Sequence, residues 1–178
     1  MRIEGERALL RTPAITDLPY LRRLWADPAT MKEVGGPFEI SDERARRWFA
    51  PMVDPGSGRD RYFLICDKQS GEPVGEASFH RYDPAERSAE LNIKVEGQRR
   101  FGGHGFEALV LLLDYYFNTF GGGVMIDPLA PANVSGQRAM ARFGFARAGA
   151  TEEAVIFKLE RERFNQLYAK GHSPCAPS

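Results

Sequence analysis

Seven consecutive residues, Arg99-Arg100-Phe101-Gly102-Gly103-His104-Gly105, combine the groups that hold an anion. Glycines let backbone N–H groups come close to a ligand, and two guanidinium groups add positive potential. The segment before them, Ala89-Glu90-Leu91-Asn92-Ile93-Lys94-Val95, alternates apolar and polar residues, the period of a half-buried strand. The segment after them, Phe106 to Phe117, is almost wholly apolar and too long for an ordinary strand. Its polar residues Glu107 and Asp114, with Asn118 just beyond, fall on one side at helical spacing, which predicts a deeply buried helix with one wet stripe. Strand, basic glycine-rich turn and buried helix, in that order, bring the unpartnered first amides of the helix and the positive end of its dipole to the turn.

Other chemistries fit less well. Gly103-x-Gly105-x-x-Ala108 matches a dinucleotide fingerprint, with Asp127 at a plausible distance downstream. That fingerprint should follow its strand at once, yet Glu96 to Gly102 intervene, and a long segment precedes the whole unit. The absence of Gly-Lys-Ser/Thr excludes a nucleotide-hydrolase phosphate loop. A glycine-rich turn with solvated arginines is the bland alternative. Cys66 lies in an apolar context without a neighbouring histidine, so it reads as core and not as a nucleophile. The three histidines are too widely separated for a metal site. The run Tyr62-Phe63-Leu64-Ile65-Cys66 reads as a buried strand, not as a platform for stacking bases.

The elements that must position these residues follow from pattern and punctuation. Residues 7–12 read as a first strand. Thr16 or Asp17 can cap a helix with an apolar stripe of Leu18, Leu21, Leu24 and Trp25, ending near Asp27-Pro28. Met31 to Ile40 read as a loop, and Ser41 can cap a second helix stopped by Pro51. Strands at about 61–67 and 73–82 form a hairpin, followed by the strand at 88–95. Gly121-Gly122-Gly123 ends the buried helix, and Val124 to Asp127 form a short strand. A helix at about 134–142, strands near 144–149 and 153–159, and a helix marked by Phe164, Leu167 and Tyr168 complete the chain. Hairpin-linked strands before a helix imply an α/β chain with a mixed sheet, not a doubly wound one.

Composition bounds the function. At 178 residues the chain is most simply one domain, expected over residues 1–170 with a flexible tail at 171–178. Lys+Arg and Asp+Glu both number 24, so a net charge of zero argues against a nucleic-acid or anionic-membrane partner. Cys66 and Cys175 form no disulfide framework and point to a reducing compartment. No apolar signal core or membrane-length run is visible, so the expected location is cytoplasmic.

Arg100-x-x-Gly103-x-Gly105 matches the [Arg/Gln]-x-x-Gly-x-[Gly/Ala] motif of the GNAT family of N-acetyltransferases. Ala89 to Leu109 resembles, without a gap, the family's strand-loop-helix in the branch that acetylates the N-termini of ribosomal proteins. Asn133-Val134-Ser135 through Arg142-Phe143-Gly144-Phe145 resembles the family's later Asn…Gly-Phe motif, and Leu9-Leu10-Arg11-Thr12-Pro13 with Asp17 resembles the start of that branch. The likeness runs from about residue 6 to about 160.

The resemblance implies a mixed, mostly antiparallel sheet splayed between two parallel strands, here 88–95 and 124–127. It implies transfer of an acetyl group from acetyl-CoA to a primary amine in a ternary complex, by a monomer or homodimer and without a metal. The acceptor is a protein N-terminus or a small amine. The loop Arg99, Arg100, Phe101, Gly102, Gly103, His104, Gly105 and Phe106 would hold the pyrophosphate of the cofactor. Main-chain groups of Ile93 and Val95, with Asn133, would hold its pantetheine arm, although Asn133 can also cap the helix after it. Candidate bases are Glu90, on the polar side of the strand, and His80. The loop from Met31 to Ile40, with Glu33 to attract a cation, would shape the acceptor pocket. Many members place a tyrosine seven residues after the motif asparagine as proton donor to the departing thiolate; here that position is Met140, which cannot donate. A non-catalytic acyl-CoA-binding regulatory module of the same fold is the alternative.

Overall fold

The computed structural model describes residues 1–32, 34–99 and 102–168. Glu33, Arg100, Phe101, Cys175 and the tail 171–178, all named above, lie outside the described residues. The strands are β1 (Arg2–Glu4), β2 (Ala8–Arg11), β3 (Arg61–Asp67), β4 (Pro73–Asp83), β5 (Ser88–Val95), β6 (Val124–Leu129), β7 (Ala146–Ala150) and β8 (Val155–Glu160). The helices are α1 (Leu18–Ala26), α2 (Pro28–Met31), α3 (Asp42–Met52), α4 (His104–Asp114), α5 (Val134–Phe143) and α6 (Arg161–Tyr168).

Among the described residues eight strands share one sheet in the order β1-β2-β3-β4-β5-β6-β8-β7. Every neighbouring pair is antiparallel except β5 and β6, which are parallel. The mixed, mostly antiparallel α/β sheet is the one expected. Helices cover both faces. Leu9, Tyr62, Leu64 and Cys66 pack with Leu18, Leu21, Trp25, Ala45 and Phe49 of α1 and α3 on one face. Leu10, Phe63, Ile65, Phe79 and Leu91 pack with Leu109, Leu112, Leu113 and Phe143 of α4 and α5 on the other. Burial on both faces explains the unbroken apolar run in β3.

Three local departures have physical causes. The Asp27 carboxylate accepts from the N–H groups of Ala29 and Thr30, capping the short helix α2 at the start of the expected loop. Helix α3 runs through Pro51 to Met52 instead of stopping there, because a proline in the last turn removes only one bond. Asp17 does not cap α1 through its side chain; its carboxylate pairs with the Arg11 guanidinium at 2.7 and 2.8 Å.

Helix α4 begins at Gly103, whose φ of +80° favours glycine, and continues beyond Asp114 as a π-helical segment, Tyr115–Phe120. The Tyr116 hydroxyl lies 3.0 Å from the carbonyl oxygen of Arg87 and 2.9 Å from that of Val124. It thereby pins the starts of β5 and β6 side by side. Asp114 and Asn118 are exposed, as a wet stripe requires. Glu107 is not a solvated member of it: its carboxylate accepts from the backbone N–H groups of Glu6, Arg7 (2.9 Å) and Ala8 (2.7 Å).

Candidate active site

Strands β5 and β6 pair over only three residues, Ser88↔Val124, Ala89↔Met125 and Glu90↔Ile126. Beyond that point β5 stays registered with β4 as far as Gly75↔Val95, while β6 follows β8 as far as Leu129↔Val155. The sheet therefore parts from Leu91 onward, and the edge of β5 that faced β6 has no strand partner there among the described residues. Unpaired main-chain groups on that edge are available to a ligand.

The opening is a cavity of about 1170 Å³. Its walls are Leu91 to Val95 of β5, Gly105, Phe106 and Leu109 of α4, Asp127, Pro128 and Leu129 of β6, Asn133, Gly136, Met140 and Phe143 at α5, and Tyr168 of α6. An added Cβ on Gly105 would stand 3.0 Å from Val95 Cγ2, so glycine lets the start of α4 close against β5. The first amides of α4 and the positive end of its dipole thus meet the cavity beside the bare β5 edge. Phe106 is 52% exposed and packs its ring on Phe143, 5.5 Å between centroids.

The chain matches the model of the acetyltransferase (GNAT) domain over residues 7–146. It belongs to the GNAT acetyltransferase family. This GNAT chain is 26% identical over 148 residues to the N-acetyltransferase p20 of Bacillus licheniformis, covering 81% of this chain and 82% of that protein. Its fold is shared by an acetyltransferase of the GNAT family from Bacillus anthracis, with TM-score 0.73 and 23% identity over 91% of this chain and 99% of that one. It is also shared by the spermidine N-acetyltransferase of Vibrio cholerae, solved with CoA and spermine, with TM-score 0.79 and 18% identity over 90% of this chain and 99% of that one.

Several residues singled out in the sequence meet at this cavity of the GNAT fold. Ile93, Val95, Gly105, Phe106 and Asn133 line it. Asn133 also caps α5: its Oδ1 accepts from Gly136 N–H at 2.8 Å. Its Nδ2 makes no hydrogen bond among the described residues. Gly103 caps α4 through its left-handed backbone. Gly102 is exposed, and Arg99 lies 3.8 Å from the Glu72 carboxylate and 4.0 Å from that of Glu96. His104 turns away from the cavity: its Nε2 is 2.8 Å from Asp67 Oδ2, and its Nδ1 is buried without a partner among the described residues. The N–H of Ser70, followed by His104, holds the Asp67 carboxyl down to about 2.

Glu90 and His80 face each other across β5 and β4 at the closed end of the opening. Neither lines the cavity. The Glu90 carboxylate is held by Arg81 Nη1 at 2.9 and 3.1 Å. Burial pushes the His80 imidazole below its usual range, against the opposing pull of Glu90 and Asp60, and its Nδ1 has no partner among the described residues.

Two features were given no catalytic role from sequence. The first is a polar ladder of directly opposed pairs, Glu76↔Lys94, Ser78↔Asn92 and His80↔Glu90, on the face covered by α1 and α3. Glu76 is 1% exposed and accepts from Trp25 Nε1 (2.8 Å), Tyr62 Oη, Lys94 Nζ (2.5 Å) and Asn92 Nδ2 (3.3 Å). Lys94 and Asn92 in turn form part of the cavity wall. Alternating polar residues in β5 were the available signal, and they read as the polar side of a half-buried strand. The second is Asp127, 7% exposed on the cavity wall. Burial alone pushes its carboxyl up to about 7.

Among the described residues no group of three His, Cys, Asp or Glu could hold a metal ion, and no helix is long and apolar enough to cross a membrane.

Proposed function

We propose that this GNAT chain transfers an acetyl group from acetyl-CoA to a primary amine within a direct ternary complex. The observation that carries the reading is the parting of β5 from β6 beside the N-terminus of α4. It joins an unpaired strand edge, a helix dipole and an apolar cavity.

In this reading the amides from Arg100 to Phe106 bind the pyrophosphate, and the side chains of Arg99 and Arg100 reach the pyrophosphate or the ribose phosphate. The β5 main chain at Ile93 and Val95 pairs with the pantetheine arm, as a further strand would. Asn133 Nδ2 holds that arm from the α5 side. An N–H at Ile93 polarises the thioester carbonyl, so that less negative charge has to be borne by solvent during attack. Glu90 or His80, directly or through a water, takes the proton that the amine must lose to become a nucleophile. His80 suits the task in one respect, since burial disfavours its charged form. The acceptor is a protein N-terminal amine, in keeping with the likeness to the ribosomal-protein branch, or a small amine such as a polyamine. The V. cholerae relative solved with spermine supports the small amine. The catalytic domain spans residues 1–170 and works in the cytoplasm as a monomer or homodimer.

Met140 lines the cavity where many members carry a tyrosine, and this favours a second reading, a non-catalytic acyl-CoA-binding regulator. Calorimetry with acetyl-CoA, followed by thiol release across a panel of amines and N-terminal peptides, separates the two. Binding with turnover on at least one amine supports the enzyme. Tight binding with no thiol release for any amine supports the regulator, and no binding refutes both.

A further inference from the structure

Asp127 is the first residue of β6 beyond its last pair with β5, so it stands where the sheet opens. Along β6 it shares a face with Met125 and Leu129, which pack into the core beneath α4 and α5. Its side chain therefore lies on the side of the sheet that carries α4, α5 and Met140, and both Asp127 and Met140 line the cavity. Asp127 is 7% exposed as a residue, and its carboxyl has no hydrogen-bond or ion-pair partner among the described residues. A buried carboxyl left unpartnered is costly, and such groups cluster where chemistry needs them.

We propose that Asp127 is the proton donor to the departing thiolate of coenzyme A, the task that Met140 cannot perform. This rests on the acetyltransferase reading above. The amine lone pair forms a C–N bond to the thioester carbonyl carbon, and the C–S bond breaks with its electron pair moving to sulfur. The sulfur takes the proton of the Asp127 carboxyl and leaves as the thiol. The proton lost by the amine passes to the base and then to solvent, and solvent restores the proton of Asp127.

The surroundings of Asp127 favour its protonated form. On its own face the neighbouring β8 residues are Val155, Phe157 and Leu159, and β5 offers Leu91 and Ile93, all apolar. The titratable groups elsewhere on the cavity wall are Lys94, Arg142 and Tyr168. Lys94 is engaged by Glu76 from the opposite face, and the Tyr168 hydroxyl donates to the Phe143 carbonyl oxygen at 2.7 Å. Arg142 of α5 makes no ion pair among the described residues, and burial is the cause of the raised Asp127 value.

The test compares wild type, D127N and D127N/M140Y for acetyl-CoA affinity by calorimetry and for kcat between pH 6 and pH 9. D127N is expected to keep acetyl-CoA affinity within about threefold while kcat at pH 6.5 falls roughly 100-fold. The ratio of wild-type to D127N kcat should shrink toward one as pH rises to 9 and Asp127 loses its proton. D127N/M140Y should recover at least about tenfold, because a phenol keeps its proton to about pH 10. A merely structural aspartate would give neither the pH-dependent ratio nor the rescue. Wild-type turnover with D127N equally active at every pH overturns the Asp127 assignment alone. No acetyl-CoA binding by wild type refutes the acetyltransferase reading, and the assignment falls with it. If D127N does not fold, wild-type kcat at saturating amine still decides: no decline between pH 7 and 9 overturns the proposal.

Discussion

Lys94 Nζ lies 2.5 Å from Glu76 Oε1, an ion pair closed off between the wall of the cavity and the helices α1 and α3. The pair is cross-strand in register, and Glu76 has three further donors, from Trp25, Tyr62 and Asn92. Removing one partner strands the other charge in a dry site. E76A is expected to destabilise the fold by about 3–5 kcal/mol in urea denaturation. K94M should cost as much or more in the E76 background and less beside E76Q, the signature of coupling in a double-mutant cycle.

Glu107 collects three backbone N–H groups from the turn between β1 and β2, about a hundred residues earlier in the chain. E107A leaves the exposed N–H groups of Glu6 and Arg7 to water and that of Ala8 unpaired at a partly buried site. A loss of about 1–3 kcal/mol is expected. Hydrogen exchange should localise it, with protection falling at Glu6, Arg7 and Ala8 before the core of β3.

Asp127 makes stability fall as pH rises. Its carboxyl titrates near 7 in the folded chain and at the ordinary value of 3.8 when unfolded. Below about pH 4 both states hold the proton and the contribution is complete. Between pH 4 and 7 the unfolded chain releases its proton first, so the folded state loses ground, and the loss is finished just above the folded value. About 2–4 kcal/mol should disappear over that window. D127N should lack this component, which chemical denaturation at pH 5 and pH 8 would detect.

Gly136 leaves room for Asn133. An added Cβ would sit 2.6 Å from Asn133 Nδ2 and 2.7 Å from its Oδ1. In G136A the helix gains propensity but loses its cap, each by about 1 kcal/mol, so stability should barely change. Acetyl-CoA affinity should nonetheless fall about tenfold, the effect of one misplaced hydrogen bond. Unchanged affinity would restrict Asn133 to capping.

The base is testable through the Glu90 and His80 pair. E90Q is expected to lower kcat about 100-fold and H80N less than tenfold. The reverse order would make His80 the base. R81A frees the Glu90 carboxylate from its ion pair and should leave kcat within a fewfold of wild type.

Strand and helix positions were largely legible because periodicity is a local signal. The strand at 88–95, the hairpin before it and Ser41 at the N-cap of α3 all follow from residues close in sequence. The cleft was legible only through resemblance, since no local pattern says that two parallel strands stop pairing after Glu90 and Ile126. What sequence could not show depends on distant partners. Glu76 is buried by Trp25 and Tyr62, which come from α1 and β3. His104 sits inside the glycine loop, yet Asp67 draws it to the far side. Asp127 before Pro128 resembles a turn residue, yet β6 continues through the proline to Leu129, because β8 alone supplies the pairing there.

The parallel register of only three residues has a mechanical consequence. Strands β1 to β5 and the trio β6, β8 and β7 are joined through the sheet by a narrow isthmus. Any molecule wedged past Leu91 braces both flanks at once, so occupancy and rigidity rise together, and the reactant becomes a temporary beam in the architecture that acts on it.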